Sequence, residues 1–200
     1  MKLIVFGASG RTGQEIVQQA LAGQHTVTAF VRNTGSFNLK HERLNVVQGD
    51  ITAYQEVENA IAGHDAVLSA LGPRTLKTRI PALVSGIKNI VSAMESTGVR
   101  RLVYESALGV GDSEADQNLV FRYFILPVLL ARDYSDHAAN EKTIRSSNLD
   151  WVIVRPARLV DGPQTGKYEV GLKLSATFPF GKVTRADVAE FMLRQLTDNA

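Results

Sequence analysis

The chain has 200 residues, with 22 Lys and Arg against 20 Asp and Glu for a net charge of +2, and it has no cysteine. That length suits one domain able to bury about 70% of the surface its unfolded chain exposes. The small net charge gives no reason to expect nucleic acid or a membrane surface as a partner. Absence of thiols excludes disulfides and thiolate metal sites and fits a reducing, cytoplasmic setting.

In chain order, Lys2-Leu3-Ile4-Val5-Phe6 is a short apolar run that reads as a first strand rather than a signal peptide, because it meets a glycine-rich loop at once. The loop is Gly7-Ala8-Ser9-Gly10-Arg11-Thr12-Gly13, and residues 14–21 follow as a helix. Residues 26–31 and 44–48 read as the second and third strands, 53–62 as a short helix and 66–70 as a fourth strand. Residues 79–97 place Leu83, Ile87, Ile90, Val91 and Met94 at the spacing of one helical face. Residues 101–104 make a fifth strand, 133–147 a helix, 151–154 a sixth strand and 185–196 a closing helix. The apolar stretch 121–131 is too short to span a bilayer and contains Arg122 and Pro127.

Strands alternating with helices predict an α/β fold: one doubly wound, Rossmann-like domain over residues 1–200, with a mostly parallel sheet and helices on both faces. Small substrate-site segments are expected around residues 73–80, 109–124 and 157–181. In such a sheet ligands lie beyond the carboxyl ends of the strands, so the residues after each strand carry the chemistry.

Strand, glycine loop and helix in that order make a nucleotide-binding loop. Gly7 allows the tight turn, Gly10 lets a phosphate approach the backbone, and Gly13 lets the helix pack closely. Ser9, Arg11 and Thr12 complete the loop, and the helix start offers free N–H groups to a pyrophosphate. After the second strand, Arg32 stands where an NAD site usually has a carboxylate, and it suits a 2′-phosphate. Arg11 is a candidate second clamp, so the expected cofactor is NADPH. Asp50 and Ile51 follow the third strand, with helix capping as the alternative role for Asp50. Ala70, Leu71 and Gly72 follow the fourth, small or apolar where backbone must pass the ribose. The four histidines, His25, His41, His64 and His137, show no ligand spacing, so no metal is expected.

The spacing Gly-x-x-Gly-x-x-Gly resembles the loop of the extended and atypical short-chain dehydrogenase/reductases. With Gly49-Asp50, Tyr104-Glu105-Ser106-Ala107, Trp151-Val152-Ile153-Val154-Arg155-Pro156 and Asp161-Gly162-Pro163-Gln164-Thr165-Gly166, the whole chain is similar to the flavin reductase/biliverdin-IXβ reductase group and NmrA-like proteins. The resemblance implies that Asp50 accepts from the adenine amino group while Ile51 covers the ring, and that Ser106 faces the nicotinamide and substrate. A Tyr-x-x-x-Lys pair is missing. In its register stand Asp133 and His137, four apart and so on one helical face, able to form a charge-assisted pair. Tyr134 is one residue out of register and turned about 100° around the helix.

The implied function is an NADPH-dependent oxidoreductase passing hydride to a planar small-molecule acceptor such as a flavin or quinone, as a monomer or homodimer. A non-catalytic NADP(H) sensor and an epimerase-like enzyme are the alternatives.

Overall fold

The computed structural model describes residues 1–72, 81–110, 131–171 and 181–197, with the side chains of residues 36 and 131–133 outside that description. The expected substrate segments therefore fall largely outside it: 73–80, 111–124 and 172–180 lie beyond the described residues.

Six strands form one sheet: β1 (Lys2–Phe6), β2 (Thr26–Val31), β3 (Leu44–Gln48), β4 (Ala66–Ser69), β5 (Arg101–Glu105) and β6 (Asp150–Val154). All pairings are parallel and the order is β3-β2-β1-β4-β5-β6. The order reverses direction between β1 and β4, which opens a crevice above the carboxyl end of β1. Strand β1 shows why its sequence is unbroken in apolar residues. Leu3 and Val5 enter the core on one face, and Ile4 and Phe6 enter the core on the other. A parallel strand covered on both faces needs no polar alternation.

Among the described residues five α-helices cover the sheet: α1 (Arg11–Ala22), α2 (Tyr54–Ile61), α3 (Pro81–Thr97), α4 (Ala131–Arg145) and α5 (Arg185–Arg194). On one face α1 packs against α5, with Ile16, Val17 and Ala20 sharing a core with Val188, Ala189 and Met192. On the other, α2 packs on α3 and α3 on α4, around Ile87, Ile90, Met94, Leu102 and Tyr104. The expected doubly wound architecture is the observed one. No helix among the described residues is long and apolar enough to cross a membrane.

Two differences from the sequence reading matter for the site. Helix α1 begins at Arg11, inside the glycine loop, three residues before the apolar periodicity reveals it. A second, two-stranded parallel sheet joins β7 (Arg158–Val160) to β8 (Lys182–Thr184) after β6. Asp187, 2% exposed, ties this region together. Its carboxylate accepts from the Thr165 N–H (2.7 Å), the Gly166 N–H (2.9 Å) and the Thr165 hydroxyl (2.8 Å), while Thr184 caps α5 by accepting from the Asp187 N–H.

Candidate functional site

The three loop glycines do different things. Gly7 sits at φ +79°, a left-handed conformation, and a Cβ there would lie 2.5 Å from the Ala70 carbonyl oxygen. Ala70 and Leu71, which follow β4, thus press against the loop. A Cβ on Gly13 would lie 2.1 Å from the Gly7 carbonyl oxygen, so the helix start rests directly on the turn. Gly10 differs: its Cβ would meet only that same oxygen, at 3.1 Å, and otherwise faces open space. Gly10 is also the N-cap of α1, and no side chain caps the helix there. The first N–H groups of α1 therefore surround a space that glycine keeps empty, the form of an anion site.

Thr12 points inward, 6% exposed, and its hydroxyl donates to Glu105 at 3.2 Å. The Ser9 carbonyl accepts from Gln14 at 3.3 Å, leaving the Ser9 side chain half-buried at the loop. Arg11 reaches across to Asp161 (3.0 Å), which also accepts from Arg185 at 2.6 Å. The exposed Arg11 thus joins the glycine loop to the turn after β7.

Arg32 lines a cleft of about 470 Å³ at the carboxyl ends of β2 and β3, together with Gln48, Gly49, Asp50 and Glu56. Arg11 is not among these residues, so the structure does not bring the two arginines to one cleft. Asp50 Oδ1 accepts from both the N–H and the hydroxyl of Thr52, at 2.8 Å each. These bonds hold the Asp50 carboxyl below its ordinary pKa, with Arg32 adding to the effect. Glu56, unforeseen from the sequence, accepts from the Asp50 N–H at 2.8 Å. Ile51 is buried, its side chain against the Cα of Gly86 on α3, where glycine makes room for it. Gly72 is exposed beyond β4.

At the end of β5 the polar groups are connected in two groups of three. The Ser106 hydroxyl, 5% exposed, donates to Glu141 Oε1 at 2.7 Å. Arg155 grips the same carboxylate with two bonds, Nε to Oε1 at 2.9 Å and Nη2 to Oε2 at 2.5 Å. His137 Nδ1 lies 2.9 Å from the Tyr104 hydroxyl, to which Asn140 Nδ2 donates at 3.1 Å. Burial keeps His137 below its ordinary pKa, against the opposing fields of Glu141 and Asp136. The Tyr134 hydroxyl donates to the Leu108 carbonyl at 2.6 Å. Asp133 lies in the first turn of α4, its side chain outside the described residues, so the described partner of His137 is Tyr104.

A family model for NAD(P)H-binding proteins matches residues 7–199. The chain belongs to that NAD(P)H-binding family. An uncharacterised chloroplastic protein of Arabidopsis thaliana is 30% identical over 98% of this chain and 71% of its own length. Among solved structures, the anaerobillin reductase ChuY of Escherichia coli O157:H7 superposes with a TM-score of 0.82 at 23% identity, over 100% of this chain and 92% of that one. A short-chain dehydrogenase/reductase of Veillonella parvula in complex with NADP superposes with a TM-score of 0.79 at 19% identity, over 100% and 88%. These two likenesses show the fold. The uncapped helix start and the space at Gly10 fit the pyrophosphate of such a cofactor.

Glu105, the acceptor of the Thr12 hydroxyl, is a buried acid, 8% exposed. Burial pushes its carboxyl up to about 7 from an ordinary value near 4.5, while Thr12's hydrogen bond and the field of Arg185 pull the other way. A carboxyl whose folded pKa is raised costs the fold nothing below the unfolded value. Its cost grows as pH rises from about 4.5 to about 7 and is constant above. Glu105→Gln keeps an acceptor for Thr12 and is expected to stabilise the protein by about 1–3 kcal/mol at pH 8, with the gain vanishing near pH 4.5. Denaturant unfolding of both forms at the two pH values checks this, and destabilisation at pH 8 would contradict it.

Proposed function

We propose that the protein is an NADPH-dependent reductase that passes hydride to a planar, intrinsically electrophilic acceptor such as a flavin or quinone. The observation that carries the reading is the hydroxyl of Tyr134. It is the tyrosine nearest the expected acid position on α4, and its proton is spent on the Leu108 carbonyl. A site whose tyrosine serves a structural bond suits acceptors that need positioning more than acid catalysis. The similarity in fold to a protein described as an anaerobillin reductase, whose name also denotes a reduction, supports the same class of chemistry.

Within this reading, Gly7, Gly10 and the first turn of α1 hold the pyrophosphate, and Ala70, Leu71 and Gly72 line the path to the ribose. Ser106 stands at the end of β5 on the acceptor side. The bound cofactor supplies the hydride. The chain orients the two partners and excludes water between them. The experiment is NADPH oxidation followed against FMN, riboflavin and soluble quinones. Acceptor-dependent turnover with at least one is expected, and none with any member of the panel would overturn the reading.

Cofactor preference follows from Arg32. A guanidinium on a 2′-phosphate contributes about 1.5–3 kcal/mol net, or roughly ten- to a hundredfold in affinity. Asp50 and Glu56 share the cleft, and each carboxylate accepts a backbone N–H. NADPH is expected to bind at least about tenfold tighter than NADH, and Arg32→Ala to remove most of that gap. Titration of both cofactors at moderate salt decides; equal affinities in the wild type would leave Arg32 a surface cation.

A further inference from the structure

We propose that His137 is a hydrogen-bond donor to the acceptor molecule, locked by Tyr104 and Asn140 into the ring tautomer that carries its proton on Nε2. The inference deepens the reductase reading and rests on it.

The tautomer follows from proton accounting. Asn140, 2% exposed, donates its amide N–H to the Tyr104 oxygen. The hydroxyl proton of Tyr104 then goes to its other neighbour, His137 Nδ1. Nδ1 is the acceptor, so the ring proton of a neutral imidazole sits on Nε2. Turning the Asn140 amide over would let Tyr104 donate to Oδ1 and accept from Nδ1–H. That arrangement strands both N–H bonds of the buried amide, where the present one uses one of them and leaves Oδ1 without a partner. Buried unpaired donors are rarer than under-satisfied acceptors, which favours the present orientation.

The ring stays neutral because it is largely buried, although Asp136 and Glu141 on its own helix and Tyr104 on β5 surround it. Tyr104 cannot readily yield its proton to the ring. Burial raises its pKa, and the fields of Glu141, Glu105 and Asp136 raise it further.

Placement comes from the direction of α4. The helix returns antiparallel to β5, and Tyr134 in its first turns reaches Leu108, beyond the carboxyl end of that strand. Side chains of a helix lean toward its N-terminus, so His137 leans toward the carboxyl edge where the cofactor lies. The neighbouring hydroxyls are committed. Ser106 must donate, because a carboxylate held by two hydrogen bonds from Arg155 only accepts. Thr12 donates to Glu105 and Tyr134 to a carbonyl. His137 Nε2–H has no hydrogen-bond partner among the described residues, whereas these three hydroxyls are committed, so it is the donor assigned to the acceptor. A neutral N–H aimed at the acceptor stabilises the negative charge that accumulates there as hydride arrives, without transferring its own proton.

The test pairs a spectroscopic readout with kinetics. Long-range proton–nitrogen correlation on histidine-labelled protein at pH 7 is expected to show His137 neutral with the proton on Nε2, and Tyr104→Phe to mix the two tautomers. In NADPH oxidation with the best acceptor, His137→Ala is expected to lower kcat about tenfold or more with the KM for NADPH little changed. His137→Gln, which restores a neutral N–H donor, is expected to recover part of that loss. A proton on Nδ1, a charged ring, or full turnover by the alanine variant would each overturn the inference. A wild type that oxidises NADPH with no acceptor would instead defeat the reductase reading, and with it the donor role.

Discussion

Gly10→Val is expected to give a folded protein whose affinity for NADP(H) falls about a hundredfold or more. Gly10 has φ −74° and ψ 164°, an extended conformation that a β-branched residue accepts. Its added Cβ would meet only the Gly7 oxygen, at 3.1 Å, so the turn needs to give by a few tenths of an ångström. The valine methyls would fill the space before the first N–H groups of α1, the proposed place of the pyrophosphate. Gly13→Ala provides the contrast. Its Cβ at 2.1 Å from the Gly7 oxygen cannot be accommodated without moving the helix, so that variant is expected to lose stability as well. Thermal unfolding and cofactor titration of the two variants separate the roles. A folded Gly10→Val protein with wild-type binding would remove the glycine loop from the cofactor site.

Asp187→Ala is expected to destabilise the fold by about 2–3 kcal/mol, lowering Tm by roughly 5–10 °C. The substitution removes the acceptor shared by two backbone N–H groups and one hydroxyl at residues 165 and 166. Those residues are exposed, so water replaces part of the loss, and the figure is smaller than for three sealed donors. A negative charge in the first turn of α5 also favours the helix dipole. Burial raises the Asp187 pKa, but the bonds from Gly166, Thr165 and Thr184 outweigh it and hold the carboxyl below its ordinary value. The contribution is therefore present above the unfolded carboxylate range and is lost as pH falls through the folded value. Wild type and variant should converge in acid. Equal stability at pH 7 would show that the turn after β7 is held by something else.

The alternation of strands and helices is legible because β1, β2 and β4 are short apolar runs bounded by turn residues, and α3 carries the period of one helical face. Strands β7 and β8 are not, since three residues cannot display an alternation. The start of α1 was hidden because a helix that opens with Gly13 in its first turn runs against propensity. At the site, the glycine loop is local and was read whole. The Ser106–Glu141–Arg155 group is not local: Glu141 lies 35 residues from one partner and 14 from the other. Arg155 stands in the Trp151–Pro156 run, and its described partner is Glu141. Arg11, inside the loop, suits a second clamp on the phosphate, and its described partner stands 150 residues away at Asp161. Side chains of that length choose among partners by tertiary geometry, which no spacing encodes.

The packing of α5 on α1 also sets an order of events during synthesis. Helix α1 leaves the ribosome well before α5, and its apolar face is covered by Val188, Ala189 and Met192 from that later helix. Gln19 likewise waits for the Ala186 carbonyl, 167 residues later, to complete its hydrogen bond at 2.9 Å. Until that segment emerges, Ile16, Val17 and Ala20 have one side bare, and the cofactor loop stands on a helix that is only half supported. A nascent chain halted before residue 185 is thus a good substrate for chaperones that bind exposed apolar helices.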